Sequence, residues 1–185
     1  MANDRPLRAD ARRNRERLLQ TAKTAFAEEG LSVSLDEIAR RAGVGPGTLY
    51  RHFPTKESLF AAVVDERLRD LLDHARALLT APDAAAALFA LVERLAGEAS
   101  AKRDLVDALA GTDVGPEVAA TAAGLRAEIG RLLSRAQESG AIRPDVTTAD
   151  LMALLSGLFV ALRPGGADTG RAVSVLCEGL KARTG

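Results

Sequence analysis

Between residues 30 and 56 the chain stops and restarts helices at short intervals, and this punctuation narrows the possible folds more than anything else in the sequence. Gly30 closes a first helix of about Arg8 to Glu29, in which Leu18, Leu19, Ala22, Ala25 and Phe26 form one apolar stripe at helical spacing. Ser34 opens a second helix as its N-cap. Glu37, three residues on, completes a capping box, and Val33 and Ile38 bracket it as a hydrophobic staple. That helix turns Leu35, Ile38 and Ala39 inward and stops at Ala42-Gly43. Gly45 and Pro46 begin a third, running to about His52 with Leu49 and Phe53 on its inner face. Pro54 ends it, and Thr55 caps a fourth. Three helices packed through Phe26, Ile38, Leu49 and Phe53, two of them joined by a tight glycine-containing turn, predict a helix-turn-helix at about residues 34–53.

The rest of the chain also reads as helix. The fourth helix runs from about Lys56 to Leu79; at ~1.5 Å per residue its ~24 residues reach ~36 Å, enough to join two domains stiffly. Further helices are expected from near Asp83, around Leu105, Val106 and Leu109, from Pro116 to a stop at Gly140, from Thr147 to about Leu162, and from about Thr169 to Ala182. Loops are expected at Gly111–Gly115 and Pro164–Gly166. Aromatic residues make up only 3% of a chain rich in Ala and Leu, which favours helix over sheet. The expected fold class is all-α, with about nine helices. The expected division is a helix-turn-helix domain at 11–71 and a larger helical domain at 72–185.

Net charge is zero, but it is unevenly spread. Residues 1–64 carry 11 Lys and Arg against 8 Asp and Glu, while residues 65–185 carry 14 against 17. Arg5, Arg8, Arg12, Arg13, Arg15 and Arg17 crowd the first seventeen positions. A basic head on a mildly acidic body suits a polyanion partner at one end. Cys177 is the lone cysteine, and it sits in an apolar stretch, so a small buried hydrophobe is expected there. With only His52 and His74 beside it, no zinc cluster can be assembled, and there is no G-x-S-x-G nucleophile turn; neither catalytic residues, a metal nor a cofactor are expected. Asp and Glu fall mostly on the polar faces of helices, where a solvated surface is their expected role. The glycines at 43, 45 and 47 follow no strand and do not meet nucleotide-loop spacing. The N-terminus has no signal-like apolar segment, and the longest apolar run, Leu151 to Leu162, is too short to cross a bilayer. A soluble, cytoplasmic chain without membrane association is expected.

Ser34-Leu35-Asp36-Glu37-Ile38-Ala39, Ala42-Gly43-Val44, Gly47-Thr48-Leu49-Tyr50-Arg51-His52-Phe53 and Lys56-Glu57-Ser58-Leu59-Phe60, taken together, closely resemble the TetR family over about residues 11–71. The family's DNA contacts, carried over by that resemblance, fall on Ser34, Gly45, Pro46, Gly47, Thr48, Tyr50, His52 and Lys56. Many family members have Ser or Thr in place of Gly45, and often a basic or polar residue in place of Pro46. Reading here therefore leans on Thr48, Arg51 and DNA shape. The residues themselves agree with this assignment. Helix 3 is the element that would enter the major groove. Gly47 lets backbone approach the duplex, Thr48 can meet a thymine methyl or a base edge, and Tyr50 and His52 can donate to phosphates. Ser34 and Lys56 stand at helix starts, where free N–H groups favour a phosphate, and Arg12 and Arg13 can add backbone or minor-groove contacts.

The resemblance further implies a helical C-terminal domain that binds a small molecule and forms a homodimer through its last two long helices. Residues Leu151–Leu162 are apolar on nearly every side and need covering all round, and Val173, Leu176, Gly179 and Leu180 give the last helix a matching face. The expected function is sequence-specific regulation of transcription. A repressor would sit on a pseudo-palindromic operator with half-sites about 34–36 Å apart, and a small apolar or amphipathic ligand held among residues 83–162 would release it. A constitutive regulator without an inducer is the alternative, and a helical ligand-binding or enzymatic protein with a vestigial helix-turn-helix is a more distant one.

Overall fold

A computed structural model describes residues 4–101, 115–162 and 168–182, with side chains for 10–98, 115–162 and 168–182. Within these residues there are eight α-helices and no strands. They are α1 (Asp4–Glu29), α2 (Leu35–Ala42), α3 (Pro46–His52), α4 (Lys56–Leu78), α5 (Ala84–Ala101), α6 (Pro116–Glu138), α7 (Thr148–Ala161) and α8 (Thr169–Leu180). A 3-10 turn, Gly30–Ser32, follows α1. The short helix expected around Leu105, Val106 and Leu109 and the loops at 111–114 and 164–166 lie outside the described residues. The chain divides into two compact units, 1–64 and 65–185, and α4 runs from the first into the second.

Local chemistry sets most of the boundaries. Gly30, Gly43 and Gly140 all take positive φ (63°, 61° and 75°), a region that L side chains resist, and each stands at a helix end. Thr147 and Asp150 form a reciprocal capping box at the start of α7. Asp83 caps α5 through the Ala86 N–H (2.9 Å), and Asp168 caps α8 through that of Arg171 (2.7 Å). The first helix departs from expectation. It begins at Asp4 rather than near Arg8, because Pro6 falls within the first turn, where a missing N–H breaks no helical bond.

In the first unit α1, α2, α3 and the start of α4 enclose one core. Leu18, Ile38, Leu49 and Leu59 are wholly buried there, and the Phe26 and Phe60 rings meet edge to face at 5.5 Å. The four apolar residues expected to pack the head, Phe26, Ile38, Leu49 and Phe53, do share one core.

In the second unit α5 packs on α6, α7 and α8. Its core is Leu68, Leu71, Leu88, Leu91, Leu95, Leu125, Ile129 and Leu151, each at most 1% exposed. Two carboxylates lie within this packing, a departure from the solvated role expected for Asp and Glu. Asp65 accepts from the Thr121 hydroxyl at 2.6 Å and pairs with Arg69 at 2.7 Å. Glu128 pairs with Arg131 at 2.7 Å and faces Arg76 at 3.5 Å. Burial of such charges is tolerated because each has a cationic or hydroxyl partner. A short antiparallel bridge between Ile142 and Lys181 ties the loop after α6 to the end of α8, through Arg143 N–H to Leu180 O at 3.0 Å and Ala182 N–H to Ala141 O at 2.9 Å.

The last two helices differ from the expected pattern in phase. Val173, Cys177 and Leu180 face into the unit, so Val173 and Leu180 are core, not an outer face. Leu176 is half-buried, Gly179 is exposed, and Val175, which the pattern did not single out, is 68% exposed. On α7 only Leu151, Leu155 and Phe159 are buried, whereas Leu154 and Val160 are 48% and 52% exposed. Cys177 is buried as expected. Desolvation first, then the charges of Glu93 and Glu178, push its thiol up to about 11, so it stays protonated and inert.

Candidate nucleic-acid interface

The turn between α2 and α3 is built by Gly43. Its left-handed backbone sends its own N–H to Arg40 O at 3.2 Å and lets Val44 N–H return to Ala39 O at 3.0 Å, which closes the end of α2. Val44 then plugs into the core, and Gly45 leaves in an extended conformation as the N-cap of α3. Gly45 O accepts both Thr48 N–H (2.9 Å) and Leu49 N–H (3.2 Å), so α3 starts without help from a capping side chain. With Leu49 wholly buried and Phe53 nearly so, the opposite edge of α3 points out.

That outward edge is where the sequence-predicted residues fall. Gly45, Pro46, Gly47, Tyr50 and Arg51 are exposed, while Thr48 and His52 are half-buried. Neither Gly45 nor Gly47 has a positive φ, and a Cβ at either position would meet nothing within 4 Å. Packing and backbone conformation therefore do not require these glycines in the free protein. What they provide is a stretch of bare, accessible backbone at the start of α3.

Ser34 caps α2 by accepting the Glu37 N–H at 3.2 Å, which leaves its hydroxyl proton available. The expected capping box is only half made. Instead of reaching back to Ser34, the Glu37 carboxylate takes Arg40 (2.7 and 2.8 Å) and Arg41 (2.7 Å). Arg41 also reaches Glu29 at 2.5 Å, linking the end of α1 to α2. The two guanidiniums hold the Glu37 carboxyl down at about 2, against an ordinary 4.5.

Thr55 and Ser58 exchange bonds at the start of α4, Ser58 N–H to Thr55 Oγ1 at 3.1 Å and Thr55 N–H to Ser58 Oγ at 3.2 Å. The half-buried Lys56 extends back across the head and donates to Leu31 O at 3.0 Å. On α1, Arg12 faces Glu16 at 3.5 Å, and Arg13 pairs with Asp10. These pairings make the arginine cluster less purely cationic than its sequence suggests. The side chains of Arg5 and Arg8 lie outside the described residues.

Two features of this surface went unrecognised in the sequence. Arg15 sits with its guanidinium carbon 5.5 Å from the centroid of the Phe53 ring, a cation–π contact that brings one member of the N-terminal cluster to the end of α3. Asp36 accepts the Tyr50 hydroxyl at 3.2 Å, and this bond, reinforced by the carboxylate's charge, raises the phenol above its ordinary range. The spacing of 14 residues across a turn gave no local signal for that pair.

Comparison with known proteins agrees with this geometry. The profile described as bacterial regulatory proteins of the tetR family matches residues 18–63. The profile described as the C-terminal domain of SbtR-like transcriptional regulators matches residues 83–182. The crystal structure of a TetR transcription regulatory protein from Mycobacterium vanbaalenii is 45% identical, with a TM-score of 0.74 and coverage of 96% of this chain and 100% of that one. A TetR regulator from Streptomyces coelicolor is 34% identical, with a TM-score of 0.71 and coverage of 92% and 99%. A helix-turn-helix-type transcriptional regulator of Staphylococcus aureus is 41% identical over 69 residues, 37% of the length of each protein.

Proposed function

Because this chain belongs to the TetR family of transcriptional regulators, we propose that it is a homodimeric repressor whose α3 edges read a pseudo-palindromic operator and whose C-terminal unit binds a releasing ligand. The observation that carries the reading is the outward edge of α3. Gly45, Pro46, Gly47, Tyr50 and Arg51 lie exposed over a fully buried Leu49, so the reading edge is held by packing rather than by a mobile loop. Thr48 and Arg51 are the proposed base readers. Ser34, Tyr50, His52 and Lys56 are the proposed phosphate contacts, and the bare backbone at Gly45–Gly47 allows close approach.

Dimerisation is supported by the uncovered apolar side chains of the last two helices. Leu154, Val160 and Val175 are exposed branched aliphatic side chains of the kind that a second subunit covers. A two-fold axis then offers two α3 edges to successive major grooves, with half-sites about 34–36 Å apart or somewhat wider. Since α4 is covalently common to both units, a ligand that prefers one position of its second half biases the first. The proposed ligand is small and apolar or amphipathic. A groove of about 360 Å³ between α5 and α8, lined by Phe89, Glu93, Val173, Ser174 and Cys177 among others, is of a size to hold one such molecule.

Selection of bound duplexes from a random pool tests the reading. Enrichment of a two-fold-symmetric site is expected, and a pool that stays random would sink it. With the operator in hand, small apolar molecules are titrated against the complex. Release by one of them supports the repressor form, and indifference to all of them leaves a constitutive regulator.

A further inference from the structure

The proposed phosphate donors differ in how many protons they have to give. Lys56 carries three and directs one at Leu31 O, which leaves two for a phosphate. Ser34 uses its oxygen as an acceptor and keeps its proton. Tyr50 has a single proton, and it points at the Asp36 carboxylate 3.2 Å away. A phosphate oxygen can only accept. The Tyr50 hydroxyl therefore cannot serve Asp36 and a phosphate together. Asp36 itself is exposed in the first turn of α2, where free N–H groups favour a negative charge.

We propose that Asp36 is an attenuating residue of the DNA interface, an internal carboxylate that occupies the Tyr50 donor in the free protein and that a phosphate must displace. This inference rests on the reading of the α3 edge as a DNA interface, and it adds an element that opposes binding. Association with arbitrary DNA is almost wholly backbone electrostatics, so one carboxylate among phosphate-facing groups weakens that component most. Contacts to bases on a cognate site are not touched by it. The consequence is a lower affinity for all DNA with the ratio between right and wrong sequence left unchanged, because the same phosphate contact is opposed on both.

The test uses the full-length protein, its selected operator and a random duplex of equal length, with dissociation constants measured across a range of salt. Asp36→Asn keeps the side chain's shape and removes its charge, while Asp36→Ala removes the acceptor as well. Melting curves establish that both variants are folded. For Asp36→Asn the expected result is roughly tenfold tighter binding to the random duplex and to the operator alike. The sequence ratio then holds, and the dependence on salt steepens. Tyr50→Phe is expected to weaken operator binding more in the Asp36→Ala background than in the wild type, because there the hydroxyl no longer has to leave a carboxylate. Operator binding that weakens in Asp36→Asn while random binding holds would make Asp36 a base contact and overturn the proposal. Unchanged constants on both duplexes would make Asp36 a mere surface neighbour of Tyr50 and overturn it equally. A wild-type protein that selects no sequence defeats the DNA-regulator reading itself, a different result from a specific protein indifferent to residue 36.

Discussion

The edge of α3 and the outer side of α7 and α8 are both left uncovered, in opposite chemistry. Along α3 the exposed groups are bare backbone at Gly45 and Gly47, the Tyr50 ring with its hydroxyl turned to Asp36, and the Arg51 side chain. Along the last two helices they are Leu154, Val160 and Val175. Water satisfies the first set and not the second. An exposed polar edge costs a free protein little, so nothing forces it to be occupied all the time, which suits a site that binds and releases. Exposed branched aliphatics favour being covered whenever a matching surface is present. The proposed reading puts the reversible partner on the first surface and the lasting one on the second.

The sharpest way to break the comparison is to make the second surface resemble the first. Leu154→Glu combined with Val160→Glu places charge where a partner is proposed to sit, at positions exposed enough for the protomer to fold unchanged. A desolvated, unpaired charge in an interface costs several kcal/mol. The double variant is therefore expected to sediment as a monomer and, because the two half-sites are no longer tethered, to lose on the order of a hundredfold or more in operator affinity. A variant that stays dimeric would move the subunit interface off α7. Next in size comes Tyr50→Ala, which removes the proposed phosphate contact and the ring from the polar edge. Operator affinity is expected to fall roughly 30-fold in a binding titration with the melting curve unaltered, since the side chain is 44% exposed. An undiminished affinity would take Tyr50 out of the interface.

How much of each surface could be read from the sequence follows from the range of the forces that build it. The α3 edge is made by neighbours along the chain: Gly43 for the left-handed exit, Gly45 and Pro46 for the restart, and Leu49 and Phe53 one turn apart for the inward face. Each of these acts within four residues, and each was legible. The phase of α8 was not, because Val173, Leu176, Cys177, Gly179 and Leu180 fit two rotations of one helix. Packing in the second unit chose the one that buries Cys177 and leaves Val175 outside. The burial of Asp65 and Glu128 was hidden for the same reason, since Thr121 and Arg76, their partners, are brought up by other helices. Within the head one local interaction overrode another. Glu37 has the right spacing to complete a box with Ser34, yet Arg40 and Arg41, one turn on, hold its carboxylate.

Gly47→Ala sharpens the meaning of the bare backbone. The added methyl meets nothing within 4 Å in the free protein, and alanine is the better helix former, so the melting midpoint is expected to hold or rise slightly. If a phosphate or base edge comes close to that backbone in the complex, the same methyl stands in its way, and operator affinity is expected to drop about tenfold. A change that stabilises the fold and weakens binding separates the two roles cleanly. Full affinity in the alanine variant would mean that the duplex keeps its distance from Gly47.

The smallest expected effect concerns what holds the polar edge in place. Arg40 first and Arg41 second depress the Glu37 carboxyl from 4.5 to about 2, and Arg41 extends the link to Glu29 at the end of α1. A carboxyl whose value is lowered by folding stabilises the fold in its ionised form. Its contribution is complete above the unfolded value of 4.5 and disappears as pH falls through about 2. Glu37→Gln is therefore expected to melt about 2 °C below the wild type at pH 7, a modest gap because the pairs face solvent. The gap should be undiminished at pH 5, narrow below 4.5 and close near 2. A gap that survives to pH 2 would show that the loss in Glu37→Gln does not come from the carboxylate's charge. A gap that closes already above pH 5 would mean that the two arginines do not hold the carboxylate in solution.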